Sequence, residues 1–247
     1  MRTVLADSDL THLFTPLVEA TVPIATGQHI AYLGQNGTKR LTDPVRYGMQ
    51  IHNLEKITQG ESLESSQGKI SEEFTIEKLT DPCDSDVLAV QALLIEAYSR
   101  EGRTIMWYDP TIENVLEVLE NSLAFVARNS DGQIVSIAAA ERATGIIVDE
   151  RELEIYEISD CATYKDFRGQ GLLKGCLLGL LNSKEIIAAD CVYTEARIAH
   201  TPIIRAFNRL GFELGGVVRN HVLIGGDRDL SETTDIENLA VMYLPRR

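Results

Sequence analysis

Cysteine is scarce in this 247-residue sequence, which contains four cysteines and no Cys-x-x-Cys pair. That spacing argues against both a structural zinc site and a disulfide framework. No stretch approaches the roughly 18 consecutive apolar residues of a membrane span, and the N-terminus lacks the apolar core of a signal peptide. These absences predict a reduced, soluble, cytoplasmic protein without a metal site.

Basic residues are also few. The formal net charge is −14, and residues 71–247 hold 17 Lys and Arg against 30 Asp and Glu. An acidic surface repels nucleic-acid phosphates and anionic membranes, so neither is expected as a partner. A cationic small molecule is therefore the favoured substrate. Whether the protein forms a homodimer stays open.

Clear periodicity is missing from the first 70 residues, where prolines and glycines interrupt the apolar stretches. A short helix over residues 44–54 and a hairpin at residues 35–37 are the elements we predict there. The Ser- and Gly-rich run at residues 60–69 is typical of a linker. We predict an N-terminal lobe of unknown role in residues 1–70 and one larger domain in residues 71–247.

From residue 74 onward the apolar residues follow strand and helix periods in turn. The pattern predicts an α/β (α+β) fold, with a mixed, mostly antiparallel sheet flanked by helices. The predicted order is a strand (74–79), two helices (86–98 and 111–119), a three-strand meander (123–128, 134–141 and 152–163), a helix (172–189), a strand (192–198), a helix (202–210) and two strands (217–224 and 239–244).

A basic, glycine-bearing turn joins the last meander strand to the following helix. We call residues 164–171 the cradle. Its segment Arg168-Gly169-Gln170-Gly171 places two glycines where backbone amides can approach an anion closely. The helix from Leu172 adds its unpaired first-turn amides and the positive end of its dipole. We interpret the cradle as a pyrophosphate-binding turn.

The element order and two motifs resemble the GNAT N-acetyltransferase superfamily. Its acetyl-CoA loop reads Gln/Arg-x-x-Gly-x-Gly/Ala, and Arg168, Gly171 and Leu173 occupy the defined places, with Leu departing at the last. The segment ARIAHTPIIRAFNRLGFE (196–213) resembles the second CoA-associated motif. Within the superfamily, residues 74–245 are most similar to the β-lysine N-acetyltransferase family, through YEISDCATYKDFRGQGLLKGCL, TEARIAH and LGFELGGVVRNH.

The resemblance implies an N-acetyltransferase that uses acetyl-CoA as co-substrate and acts on the amine of a small molecule, such as β-lysine or a related amino acid. A GNAT enzyme acting on a peptide, polyamine or amino-sugar, and a non-catalytic CoA-binding module, stay open as alternatives. The residues implied to contact the cofactor are Cys161, Ala162, Thr163, Arg168, Gly169, Gln170, Gly171, Leu172, Leu173 and Asn208. The first three are implied to pair with pantetheine through their backbone and to polarise the acetyl oxygen.

Two carboxylates are candidates for the base that removes the amine proton. The resemblance makes Glu157 the first candidate and Asp160 the second. Being three residues apart, they point to opposite faces of an unbroken strand, whereas a β-bulge would change that. For each of them, a solvated or ion-paired surface carboxylate is the open alternative.

Three further residues are candidates for binding the acceptor. Glu141 is placed to hold an ammonium group, and Asn220 lies in a stretch that the resemblance brings near the substrate. Tyr108 belongs to a Trp-Tyr-Asp cluster that suits a cationic amino acid, with core packing as the alternative.

The expected general acid is missing. Many GNAT enzymes protonate the CoA thiolate with a tyrosine on the late helix, and Phe207 stands at that place here. A phenyl ring cannot donate a proton, so water, Tyr243 or Asn208 is left for that role.

Overall fold

The computed structural model describes residues 70–100, 103–104, 109–144, 146–148, 150–224 and 235–245. They belong to two compact units, which divide between Val192 and Tyr193. The helix, hairpin and linker predicted in residues 1–69 lie outside the described residues, as does Tyr108. The predicted domain boundary near residue 70 therefore stays a prediction.

The first unit contains a four-stranded antiparallel sheet with strand order β1-β4-β5-β8. Its elements are β1 (Thr75–Leu79), α1 (Asp84–Tyr98), β2 (Ser99–Arg100), β3 (Arg103–Thr104), α2 (Ile112–Asn121), β4 (Ser122–Arg128), β5 (Ile134–Ala143), β6 (Ile147–Val148), β7 (Arg151–Glu152), β8 (Ile155–Thr163), a 3₁₀ turn (Lys165–Phe167), α3 (Leu172–Leu181) and α4 (Lys184–Ala188). The expected fold class, a mostly antiparallel sheet flanked by helices, is confirmed.

Local signals explain several element boundaries. Thr111 caps α2 by accepting a hydrogen bond from the Asn114 amide at 3.2 Å. In the β4–β5 turn the Asn129 side chain accepts from the Asp131 and Gln133 amides, at 3.1 and 2.9 Å, and Gly132 has φ 79°. A left-handed residue flanked by such an Asn is typical of a tight hairpin connection.

One predicted helix is in fact two. The uninterrupted helix expected over residues 172–189 ends at Leu181, and α4 begins after Ser183. The Asn182 side chain donates to the Leu178 carbonyl at 2.8 Å, and Ser183 Oγ accepts from the Ile186 amide at 3.4 Å. Asn and Ser compete for backbone hydrogen bonds in this way, so they stop one helix and cap the next.

The two faces of the first unit's sheet are covered by different helices. Residues of α1 and α2 form a buried cluster with one face, which includes Val126 of β4, Ile137 of β5 and Ala162 of β8. Helix α3 lies on the opposite face, where Gly179 meets the ring of Phe125. Because neighbouring residues of a strand alternate between faces, Phe125 and Val126 point to different layers.

Gly179 permits this close approach, and Gly179→Ala is expected to lower the free energy of unfolding by about 1–2 kcal/mol. A Cβ there would lie 2.7 Å from Cε1 and 3.0 Å from Cγ of Phe125, so the whole ring would have to move. Gly175→Ala is the matched control, because its Cβ would meet only the side chains of Ile70 and Ile76. The Gly175→Ala variant gains about 1 kcal/mol from the higher helix propensity of alanine, so its free energy of unfolding is expected to be close to that of wild type. Urea unfolding measures both variants, and equal losses would contradict the packing argument.

The described part of the second unit contains an antiparallel three-stranded arrangement with order β9-β11-β10. Strand β9 (Cys191–Arg197) spans the division between the units and is followed by α5 (Thr201–Arg209), β10 (Glu213–Ile224) and β11 (Asp235–Tyr243). The end of α5 is fixed by Gly211 at φ 91° and by a hydrogen bond from the Phe212 amide to the Phe207 carbonyl at 3.1 Å. A left-handed glycine thus ends this helix, which the sequence predicts over residues 202–210.

Candidate active site

Strand β8 contains a β-bulge directly beside the candidate bases. The register pairs Ile137 with Ala162 and Ala139 with Ser159, so two residues of β8 stand opposite one residue of β5. Asp160 lies in this bulge with φ 45°, a left-handed conformation in which Asp is tolerated better than most residues. Because of the extra residue, Ser159 and Ala162 share one face although they are three positions apart.

The register also places Glu157 and Glu141 directly opposite each other on neighbouring strands. Both lie on the face that α1 and α2 cover, together with Ser159. Ser159 Oγ donates a hydrogen bond of 2.6 Å to Oε1 of Glu141. The structure therefore brings together one candidate base and one candidate acceptor-binding carboxylate, while Asp160 lies in the bulge of β8.

The three residues implied to meet pantetheine have their carbonyls fixed by side chains from three different segments. The Tyr98 hydroxyl of α1 donates to the Cys161 carbonyl at 3.0 Å, and Ser136 Oγ of β5 donates to the Ala162 carbonyl at 2.9 Å. Arg168 Nε of the cradle donates to the Thr163 carbonyl at 3.1 Å. These bonds hold the end of β8 in one conformation. Arg168 therefore also has a structural role, because it holds the backbone at the end of β8.

Both glycines of the cradle have left-handed backbone conformations. Gly169 has φ 79° and Gly171 has φ 77°, and a Cβ on either would meet no atom within 4 Å. Glycine is needed there for its conformation rather than for space. Gly171 is the residue before α3 and has no side chain to accept from the first-turn amides, unlike Thr111 at α2 and Ser183 at α4. Such amides, with the helix dipole behind them, suit an oxyanion.

Leu172 and Leu173 contribute differently from the glycines. Leu172 is 1% exposed and belongs to the core, whereas Leu173 is half-buried. Leu172 can therefore offer a ligand its backbone amide but not its side chain. Lys165, Arg168, Gly169 and Gln170 are exposed, so the cradle presents two cationic side chains and a run of amides to solvent.

The thiols near the cradle are poor nucleophiles. Burial, reinforced by the neighbouring Asp160 charge, raises the pKa of Cys161, and burial raises the pKa of Cys176 to about 12. A thiol must ionise to attack a thioester, so neither residue is suited to covalent catalysis at neutral pH. Cys176 is buried, and Cys161 is partly buried.

A cleft of about 510 Å³ opens beside the cradle's 3₁₀ turn, between α1 and the β4–β5 turn. Glu96 of α1 reaches this turn and accepts a hydrogen bond from the Lys165 amide at 3.0 Å. On the other side of the cleft, Arg128 binds Asp86 at 2.8 Å and Glu77 at 2.6 Å. These contacts tie the start of the cradle to α1 and α1 to the sheet.

The Arg128–Asp86 contact is expected to make stability depend on pH. Burial alone would raise the pKa of Asp86, but hydrogen bonds from Arg128 and Cys83 outweigh it and hold the pKa below its ordinary value. A lowered folded-state pKa adds stability above the unfolded pKa of roughly 4, and that stability is lost as the pH falls through the folded value. The free energy of unfolding of Asp86→Asn is thus expected to be about 1 kcal/mol lower than that of wild type at pH 7. This difference is expected to decrease below about pH 4.

Urea unfolding of wild type and Asp86→Asn at several pH values measures this effect. The control is Asp84→Asn, which changes an exposed residue in the same helical turn. A difference between wild type and Asp86→Asn that does not shrink as the pH falls below about 4 would contradict the assignment, because protonation of Asp86 removes the charge that stabilises the folded chain.

Two of the remaining predicted site residues belong to the second unit. Asn208 is half-buried on α5, in the second unit, and Asn220 lies on β10 at a position where only the backbone is described. Within the described ranges, no three His, Cys, Asp or Glu side chains cluster closely enough to hold a metal ion. In the same ranges, no helix is long and apolar enough to cross a membrane.

Comparison with known proteins gives a likeness in structure only. No family model matches the sequence, and no curated protein matches it either. A ribosomal-protein-alanine N-acetyltransferase from Brucella melitensis is similar to this chain with a TM-score of 0.54 and 20% identity, over 68% of this chain and 98% of that one. NAA60 from Arabidopsis thaliana, solved with acetyl-CoA, gives a TM-score of 0.54 at 13% identity, over 69% of this chain and 97% of that one.

A third solved structure is called an acetyltransferase of the GNAT family, from Streptococcus pneumoniae. It gives a TM-score of 0.50 at 14% identity, over 69% of this chain and 98% of that one. The chain has the GNAT fold. The superfamily resemblance in the sequence is thereby supported at the level of the fold, and the narrower resemblance to the β-lysine family stays a prediction.

Sequence reasoning missed three residues whose hydroxyls hold groups of this candidate site: Tyr98, Ser136 and Ser159. Tyr98 and Ser136 fix the carbonyls at the end of β8, across separations of 63 and 26 residues. Ser159 holds Glu141 from 18 residues away. Their hydroxyls become informative only once the register of β4, β5 and β8 is known.

Proposed function

We propose that this protein is an acetyl-CoA-dependent N-acetyltransferase that acts on the amine of a small molecule. The observation that carries the proposal is the cradle, with left-handed Gly169 and Gly171 leading into the uncapped start of α3 at the end of a bulged strand. The GNAT fold and the acetyl-CoA bound in the Arabidopsis structure support the choice of ligand. Diphosphate oxygens suit the amides and the Arg168 guanidinium by charge and by hydrogen-bond direction.

Acetyl-CoA supplies an activated acetyl group and a thiolate leaving group. On this proposal the amides that begin α3 hold the diphosphate, and the β8 backbone at residues 161–163 orients the pantetheine arm. Glu157 removes a proton from the acceptor ammonium, so that a neutral nitrogen attacks the thioester carbonyl. Asp160, at the bulge, is the second candidate for this step.

The chain offers no tyrosine in the place where the resemblance puts the general acid. Phe207 is 1% exposed and packs edge-to-face on Phe212, with ring centroids 5.1 Å apart, so it belongs to the core. The Tyr243 hydroxyl donates to Glu213 at 3.2 Å. A thiolate is a tolerable leaving group, and we propose that water protonates it.

The acceptor is proposed to be cationic, with β-lysine or a related amino acid as the first choice. The excess of acidic residues favours a positively charged substrate, and Glu141 and Glu157 offer two carboxylates on one face of the sheet. A peptide amine is the second candidate, because the similar protein from Brucella melitensis is named a ribosomal-protein-alanine N-acetyltransferase.

A thiol-release assay tests the proposal. Acetyl-CoA is incubated with the protein and with lysine, β-lysine, other diamines, or short peptides with an N-terminal alanine, and CoA release is followed. Release with the free amines supports the first choice, and release with peptides alone supports the second. If calorimetry showed acetyl-CoA binding while no amine released CoA, a non-catalytic CoA-binding module would replace the enzyme, and absence of binding would overturn both.

A further inference from the structure

Ser122 carries a buried hydroxyl that has no hydrogen-bond partner within the described part of the chain. Its Oγ exposes less than 1 Å² to solvent. The residue lies where α2 ends and β4 begins, serving as the C-cap of that helix. Burying a hydroxyl without a partner costs free energy, so native proteins rarely do it unless a water or ligand completes the site.

Ser122 lines up with the candidate carboxylates. The register pairs Ser122 with Glu141, and Glu141 in turn with Glu157, so the three residues form one row across β4, β5 and β8. They point to the face that α1 and α2 cover, and opposite side chains on neighbouring strands have Cβ atoms about 5 Å apart. We call Ser122, Glu141 and Glu157 the polar row.

The next row of the same face is made of small side chains. It consists of Ala124, Ala139 and Ser159, of which the two alanines are completely buried. Ser159 donates to Oε1 of Glu141 across the boundary between the two rows. That bond holds one oxygen of the Glu141 carboxylate and leaves the second oxygen for another donor.

We propose that Ser122 Oγ and the Glu141 carboxylate together receive N–H donors of an acceptor's ammonium group, and that Ser159 is a positioning residue for Glu141. An ammonium carries three N–H donors and no acceptor, so it satisfies a hydroxyl oxygen and a carboxylate at once. The inference rests on the proposed N-acetyltransferase function and names residues that determine how the amine is bound.

The test compares Ser122→Ala and Ser159→Ala with wild type, using the amine that gives the fastest CoA release. Loss of a hydrogen bond to a charged group is expected to raise the KM for the amine about tenfold in each variant, with the KM for acetyl-CoA unchanged. Ser122→Ala also removes an unpartnered buried hydroxyl, so its urea midpoint is expected to equal or exceed that of wild type. A residue with a merely structural role would lose stability without this selective change in KM.

Ser183→Ala is the matched control, because Ser183 only caps α4. It is expected to lower the urea midpoint and to leave both KM values as in wild type. If Ser159→Ala fails to fold, Ser122→Ala decides alone. An unchanged amine KM in Ser122→Ala would overturn the inference.

The failure of the proposed function is a separate outcome. If wild type binds an amine in calorimetry without acetylating it, the enzyme proposal fails, and the inference is then judged by the amine affinity of Ser122→Ala. A tenfold weaker affinity supports the polar row, whereas equal affinity overturns it. If no amine binds to wild type, the inference fails together with the proposed substrate class.

Discussion

Glu157→Gln is expected to lower kcat for acetyl transfer about 100-fold at pH 7, because it removes the proposed base while keeping the size of the side chain. Glu157 stands opposite Glu141 on the face that α1 and α2 cover, next to the bulge that disturbs β8. The glutamine keeps the hydrogen-bond acceptor oxygen but cannot take up the amine proton. Steady-state kinetics with saturating acetyl-CoA and a series of amine concentrations measure the change.

Two further variants test whether the expected loss of kcat is specific to Glu157. Asp160→Asn changes the second candidate, and asparagine tolerates the left-handed φ of 45°, so the bulge is retained. Glu152→Gln is the control, since Glu152 is exposed on β7 outside the proposed site. If Asp160→Asn loses the activity and Glu157→Gln keeps it, the two roles must be exchanged. A rate that all three variants retain would exclude a carboxylate base on β8.

Proton removal should also appear in the pH profile. A rate that depends on an ionised base falls on the acid side of the profile, and the fall disappears when that base is removed. In Glu157→Gln the remaining slow rate is therefore expected to rise with pH, because only amines that are already neutral can react. An acid limb identical to that of wild type would show that another group controls the reaction.

Local sequence signals were sufficient for most elements of the first unit. The Thr111 cap, the Asn129–Gly132 turn and the apolar periods of α1 and α2 each act within a few residues, so the pattern records them directly. The break between α3 and α4 was missed, because the apolar run continues through it and only Asn182 and Ser183 interrupt the helix. Capping by two polar residues outweighed the hydrophobic pattern there.

The two parts of the candidate site differ in how far the sequence predicts them. The cradle is a local structure, and its two glycines, which the sequence predicted to allow close approach of an anion, have left-handed conformations. The polar row is not local, since Ser122, Glu141 and Glu157 meet only through the pairing of three strands. A bulge also shifts the faces of β8 by one residue, and nothing in the alternation of β8 gives its position. Contacts of this kind can be predicted only when the register of the strands is known.

Gly171→Ala is expected to raise the Kd for acetyl-CoA about tenfold, through the loss of close approach and of one amide hydrogen bond to the diphosphate. Alanine at φ 77° is strained by about 1 kcal/mol, and the strain is relieved by turning the amide that the ligand needs. Isothermal titration with acetyl-CoA measures the loss directly. A steric clash does not contribute, since no atom lies within 4 Å of the added Cβ.

Gly132→Ala separates backbone strain from ligand binding. Gly132 has φ 79° in the β4–β5 turn, and its Cβ would likewise meet nothing within 4 Å. Both variants are therefore expected to lose a similar free energy of unfolding, about 1 kcal/mol, while only Gly171→Ala loses affinity for acetyl-CoA. Equal cofactor affinity in the two variants would mean that the turn before α3 does not hold the diphosphate. Because the strain is matched, a selective loss can come only from the place of Gly171 at the start of that helix.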